Sequence, residues 1–94
     1  MLGIAAKSGN VVSGEFSTEK AVKTGQAYMV IVSEEASANT NKMFTNMTSF
    51  YEVPMYVFGT KEELGRAIGK DIRSSIGVCD VGLADAIIKQ LNAE

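Results

Sequence analysis

Tyr28-Met29-Val30-Ile31-Val32 is an unbroken apolar run of strand length, and its reading decides the fold. The run shows no polar alternation, so neither face of the strand is suited to water. A strand of this kind sits in the middle layer of a domain, covered from above and below. It predicts a strand over residues 27–33. Upstream, residues 15–24 read as a helix that Gly14 can begin and Gly25 can close in the left-handed conformation, with Lys23 in its last turn. Before it, residues 10–13 read as a short strand around the β-branched pair Val11-Val12, and residues 1–7 as a short helix ending near Gly9.

Downstream of the central run, Ser37 fits the N-cap of a helix in which Met43, Phe44, Met47, Phe50 and Tyr51 recur at helical spacing, the first four reading as core. Pro54 lies just past that helix, and Met55-Tyr56-Val57-Phe58 follows as a third long strand. Thr60-Lys61-Glu62-Glu63 matches a capping box, with the glutamate three residues after the threonine. The helix it opens is expected to turn Leu64, Ala67 and Ile68 inward and to stop at Gly69. Residues 74–79 read as the last strand. Asp80 or Gly82 starts a final helix with Leu83, Ile87 and Leu91 on one stripe. Strict alternation of helix and strand predicts an α/β domain with one central sheet and helices on both faces. A chain of 94 residues makes a single domain, 1–94.

Composition narrows the function. Histidine is absent, which removes the commonest general base and the commonest metal ligand. Cys79, the single cysteine, cannot form a disulfide within the chain or build a zinc site, and it reads as a buried small hydrophobe. The carboxylate pairs Glu34-Glu35 and Glu62-Glu63 and the neighbours Asp80 and Asp85 read as loop edges and helix starts rather than as a magnesium site. Gly65-Arg66-Ala67-Ile68-Gly69-Lys70-Asp71 is not a phosphate loop: only three residues separate the glycines, and an aspartate follows the lysine. Its small residues read instead as packing and capping positions. No apolar run approaches bilayer length, and the start of the chain lacks the pattern of a secretory signal, so a cytoplasmic protein with no membrane partner is expected. The net charge of −2 means that binding to nucleic acid requires the nine basic residues to be segregated.

Within the helix over 15–24, Phe16, Lys20 and Lys23 share one stripe by their spacings of four and three. That stripe begins beside free backbone N–H groups at the positive helix end, a chemistry suited to phosphate. The same stripe also reads as an ordinary solvated face with Phe16 folded back onto it.

Lys7-Ser8-Gly9-Asn10-Val11-Val12-Ser13-Gly14, followed by Thr18, Lys20 and Gly25-Gln26-Ala27, then Val53-Pro54, Leu64-Gly65-Arg66-Ala67-Ile68-Gly69-Lys70 and Arg73, is similar in this order to the kink-turn RNA-binding large-subunit ribosomal proteins of archaeal and eukaryotic type. The segment Glu34-Glu35-Ala36-Ser37-Ala38-Asn39-Thr40 and the Asp80-Val81-Gly82 start of the last helix most resemble the bacterial YlxQ-like branch. The resemblance implies a three-layer α/β/α sandwich around a four-stranded mixed sheet. It implies a non-enzymatic RNA-binding protein associated with the ribosome or translation, with no cofactor. The partners would be a kink-turn or internal-loop RNA, such as ribosomal RNA, and other translation proteins. Carried over residue by residue, the RNA contacts fall at Gly14, Glu15, Phe16, Ser17 and Lys20, at Lys70, Ile72 and Arg73, and at Glu34 and Glu35 near a flipped-out base. Lys20, Lys23, Lys70 and Arg73 would neutralise phosphate from one ridge. Phe16-Ser17 stands where the family commonly carries Asn-Glu; Phe16 can stack on a base but cannot hydrogen-bond its edge. This departure, with the acidic balance, also fits a protein-interaction module of the same fold that has lost kink-turn recognition.

Overall fold

The computed structural model describes residues 9–92, so the helix expected over residues 1–7 lies outside the described residues. Among the described residues four strands and four helices alternate: β1 (Val11–Ser13), α1 (Glu15–Lys23), β2 (Met29–Val32), α2 (Ala38–Tyr51), β3 (Met55–Val57), α3 (Lys61–Ala67), β4 (Ser75–Val78) and α4 (Val81–Asn92). The strands form one sheet in the order β1-β4-β2-β3. Strand β4 runs antiparallel to both β1 and β2, whereas β2 and β3 are parallel. The sheet is therefore mixed, and β1, β2 and β3 all point the same way.

The apolar run holds from Met29 to Val32, every residue of which is buried; Tyr28, its first residue, precedes the strand and is exposed. The two faces of β2 feed two cores. Met29 and Ile31 join Ile76 and Val78 of β4 under Leu64 and Ile68 of the α3 segment and Ala84 and Ile87 of α4. Val30 and Val32 pack on the other side with Ala21 and Val22 of α1 and Phe44 and Met47 of α2. The architecture is the expected three-layer α/β/α sandwich.

Local signals account for the helix ends. Gly25 adopts φ +75°, its N–H donates to the Val22 carbonyl and the Gln26 N–H to the Ala21 carbonyl, so α1 closes by the bond pattern of a left-handed C-terminus. The capping box forms in full: Thr60 Oγ1 accepts from the Glu63 N–H and Glu63 Oε1 accepts from the Thr60 N–H, each at 3.0 Å. Thr60→Ala is expected to lower unfolding free energy by about 1 kcal/mol, measurable as a reduced urea midpoint with an unchanged slope.

Three expectations differ from what is observed. Phe50 is exposed, not core, as is the neighbouring Tyr51. Phe44, Met47 and Thr48 form the inward stripe of α2, and Phe50 lies on its flank. Ala67 is exposed because α3 turns Leu64 and Gly65 inward, with Ile68 buried just beyond the helix. Strand β3 has only three residues, and Phe58 leaves the sheet as a half-exposed loop residue.

Cys79 is partly buried against the α1–α2 core, and burial raises its thiol pKa. A thiol reagent at pH 8 is expected to label the folded chain more slowly than the chain in denaturant.

Candidate nucleic-acid interface

Because β1, β2 and β3 are parallel, their C-terminal ends and the start of β4 share one edge of the sheet. Ligands of α/β sheets collect at such an edge, where loops leave the strands and helices begin. Hydrogen bonds lace the loops together. The Gly14 N–H donates to the Ser75 carbonyl at 3.0 Å, and the Ser33 N–H to the Ser74 carbonyl at 2.8 Å. Ser33 Oγ and the Glu34 N–H both donate to the Gly59 carbonyl, at 3.0 and 2.9 Å.

At the β1 end of this edge, α1 starts without a side-chain cap. Gly14 holds φ +88° and ψ 158°, backbone angles that an L side chain rarely adopts, although space for a side chain is open. It therefore offers no capping oxygen. The other described helices are capped: α2 by Ser37, α3 by Thr60, and α4 by Asp80, whose Oδ1 accepts from the Leu83 N–H at 2.9 Å. The leading N–H groups of α1 thus face outward with no side-chain acceptor among the described residues, at the positive end of a helix dipole. Glu15, Phe16 and Ser17 surround them, all exposed, with Phe16 at 77%. The Glu15 carboxylate offsets part of that positive potential.

The loop between α3 and β4 meets this turn. The Lys70 N–H donates to the Gly65 carbonyl at 2.8 Å, and the Arg73 N–H to the Lys61 carbonyl at 3.0 Å. A side chain on Gly65 would place its Cβ 1.3 Å from the Asp71 carbonyl oxygen. Gly65 thus makes room for this loop, not for a neighbouring helix. Arg73 Nε donates to Ser13 Oγ at 3.1 Å, and Nη1 to the Ile72 carbonyl at 2.7 Å. The bond to Ser13 spans 60 positions of sequence and fixes the guanidinium beside the residue that precedes Gly14. Its other N–H groups have no partner among the described residues. Ile72 is exposed at 61%.

The remaining candidates are less concentrated. Lys70 lines a shallow groove of about 340 Å³ with Glu62, Arg66, Asp71 and Ile72, so carboxylates stand beside it; Arg66 pairs with Glu62. Lys20 is exposed on the second turn of α1. Lys23 lies in the last turn, roughly 12 Å along the axis from Glu15, and pairs with Glu19 at 3.7 Å. Of the four cations, Arg73 is the one that a side-chain bond fixes beside the helix start, while Lys23 and Lys70 stand next to carboxylates. The Glu35 carboxylate accepts from the Lys61 N–H at 2.8 Å, which ties the β2–α2 loop to the first turn of α3, while Glu34 is exposed. Two edge residues escaped the sequence reading. Phe58 was concealed as the end of an apolar run. Ser13 acts through a partner that only the tertiary fold supplies. No cluster of three or more acidic or sulfur ligands occurs among the described residues.

Comparison with known proteins identifies the family. The sequence profile of the Ribosomal protein L7Ae/L30e/S12e/Gadd45 family matches residues 1–88. The RNA-binding protein YlxQ of Bacillus subtilis (strain 168) is 37% identical over 92 residues, covering 98% of this chain and 92% of its own. The large ribosomal subunit protein eL30 of Neurospora crassa is 34% identical, over 95% of this chain and 84% of its own. A solved protein of unknown function from Bacillus halodurans C superposes with a TM-score of 0.94 at 37% identity, over 97% of this chain and 92% of the other. The chain belongs to the L7Ae/L30e/S12e/Gadd45 ribosomal protein family, on its YlxQ-like branch.

Proposed function

We propose that this chain is a non-enzymatic RNA-binding protein that works with the translation apparatus in the cytoplasm, seating a kinked or internal-loop RNA on the C-terminal edge of its sheet. The observation that carries the reading is the Arg73–Ser13 bond, which sets a guanidinium with N–H groups to spare beside the uncapped start of α1. Phosphate oxygens suit both groups, and together they recognise a backbone bend rather than a straight duplex. Phe16 and Ile72 supply apolar surface on which splayed bases stack, with Phe58 further along the edge. Lys20 and Lys70 add positive charge from either side, with Lys23 at the margin. Glu34, exposed in the loop after β2, serves as an acceptor for a base donor. Nothing in this set moves a proton or forms a covalent intermediate. Membership in a ribosomal and RNA-binding family supports the same conclusion.

Few cations mean a shallow salt dependence. With three or four phosphates neutralised, log Kd against log salt is expected to have a slope of about 2 to 4. Fluorescence titration of a kink-turn RNA and a plain duplex at several salt concentrations tests this. Tighter binding to the kinked RNA at every salt is expected; equal affinity for both, or no binding, overturns the reading. The competing function, protein interaction without kink-turn recognition, requires partners that survive ribonuclease and no preference between the two RNAs.

A further inference from the structure

Every polar atom of Ser33 is engaged. The residue directly follows β2 and is 1% exposed, too little to touch RNA. Its N–H donates to the Ser74 carbonyl at 2.8 Å, and its carbonyl accepts from the Ala36 N–H at 3.1 Å. Its hydroxyl donates to the Gly59 carbonyl and accepts from the Glu35 N–H, each at 3.0 Å. Three loops of the sheet edge, those after β2 and β3 and the one before β4, therefore meet at this one residue.

From the hydroxyl a chain of hydrogen bonds runs to the guanidinium. Glu35, whose N–H the hydroxyl receives, turns its carboxylate Oε1 onto the Lys61 N–H at 2.8 Å. That oxygen is committed to a backbone donor of α3 rather than to a base. The Lys61 carbonyl in turn accepts from the Arg73 N–H at 3.0 Å, and Arg73 Nε reaches Ser13 Oγ at 3.1 Å. Loops held beforehand in the bound arrangement need not be ordered when a ligand arrives, so ties of this kind add to affinity without touching the ligand. We infer that Ser33 and Glu35 are positioning residues for RNA binding, which act through Lys61 to hold the 70–73 loop and its Arg73 in place from the far side of the edge. The inference rests on the RNA reading given above and adds to it two residues that reading does not use.

Fluorescence titration with a kink-turn RNA, well below the melting temperature of every variant, tests it. Ser33→Ala removes the two hydroxyl bonds and keeps the backbone bond to Ser74. It is expected to lower affinity roughly fivefold, the worth of about one hydrogen bond, with no change in affinity for a plain duplex. In an Arg73→Ala background that penalty should largely vanish, because the group being positioned is gone. A serine that only stabilised the domain would lower the melt and leave both affinities alone. Glu35→Ala and Glu35→Gln give the same test at an exposed position, should Ser33→Ala not fold. Both are neutral, so they share any effect of removing a carboxylate near phosphate. Only glutamine keeps an acceptor for the Lys61 N–H, and it should bind several-fold more tightly than alanine. Unchanged affinity for Ser33→Ala, equal affinities for the two Glu35 variants, or a Ser33→Ala penalty just as large without Arg73 would each overturn the inference. A wild-type chain with no preference for the kinked RNA overturns the RNA reading and this inference with it; wild-type preference together with any of those three results overturns the positioning alone.

Discussion

Gly65→Ala is expected to produce the largest combined loss of stability and RNA binding of any single methyl addition to this chain. The new Cβ would sit 1.3 Å from the Asp71 carbonyl oxygen, which is backbone and cannot rotate away. Either the loop over residues 70–73 lifts from α3 or α3 shifts on the sheet. Lifting breaks the Lys70 bond to the Gly65 carbonyl and strains the Arg73 bond to the Lys61 carbonyl. Overpacking of this kind costs about 3 kcal/mol, and in a domain this small it lowers the melting temperature by roughly 10–20 °C. The loop also carries Lys70, Ile72 and Arg73, so affinity for kinked RNA should fall even at temperatures where the variant remains folded. A melt within a degree or two of wild type would mean that the loop does not pack on Gly65 as described.

Arg73→Ala should have the largest effect on binding alone. It removes a charged multiple donor whose loss typically costs about 1.5–3 kcal/mol, or roughly 10–100-fold in affinity, and it should make the salt dependence shallower by about one unit of slope. The lost bond to Ser13 should lower stability by only about 1 kcal/mol, so the variant remains folded. Arg73→Lys separates charge from geometry. Lysine retains the positive charge and hence the salt slope, but it lacks the planar fork that bonds Ser13 through Nε while other N–H groups face outward. Its affinity should lie between those of alanine and arginine. Full activity for Arg73→Lys would show that charge suffices and that the orientation imposed by Ser13 is unimportant.

Much of the fold is legible in local sequence because its signals are local. The β2 run needed no partner to identify it, and the Thr60 capping box and the Gly25 closure are set by residues within one turn. What the sequence conceals depends on which side of a helix meets the sheet. Phe44, Met47 and Phe50 all suit a helical apolar stripe, yet only the first two face the core, since spacing defines a stripe without its orientation. The same limit put Ala67 inside, whereas the inward side of the helix is Leu64 and Gly65, with the 70–73 loop packed on Gly65. The candidate interface was legible as two separate segments. Their meeting was not, because the Arg73–Ser13 bond joins residues sixty positions apart. Lys23 shows the converse. Its pairing with Glu19 follows from i, i+4 spacing and explains why it is engaged away from the edge.

Amide chemical-shift mapping during titration with a kink-turn RNA tests most directly whether the sheet edge receives the RNA. The expected perturbations fall on Glu15, Phe16 and Ser17, on Glu34, and on Lys70, Ile72 and Arg73, while Phe50 and Tyr51 on the exposed flank of α2 stay unchanged. Shifts concentrated on that flank with a silent edge would contradict the account.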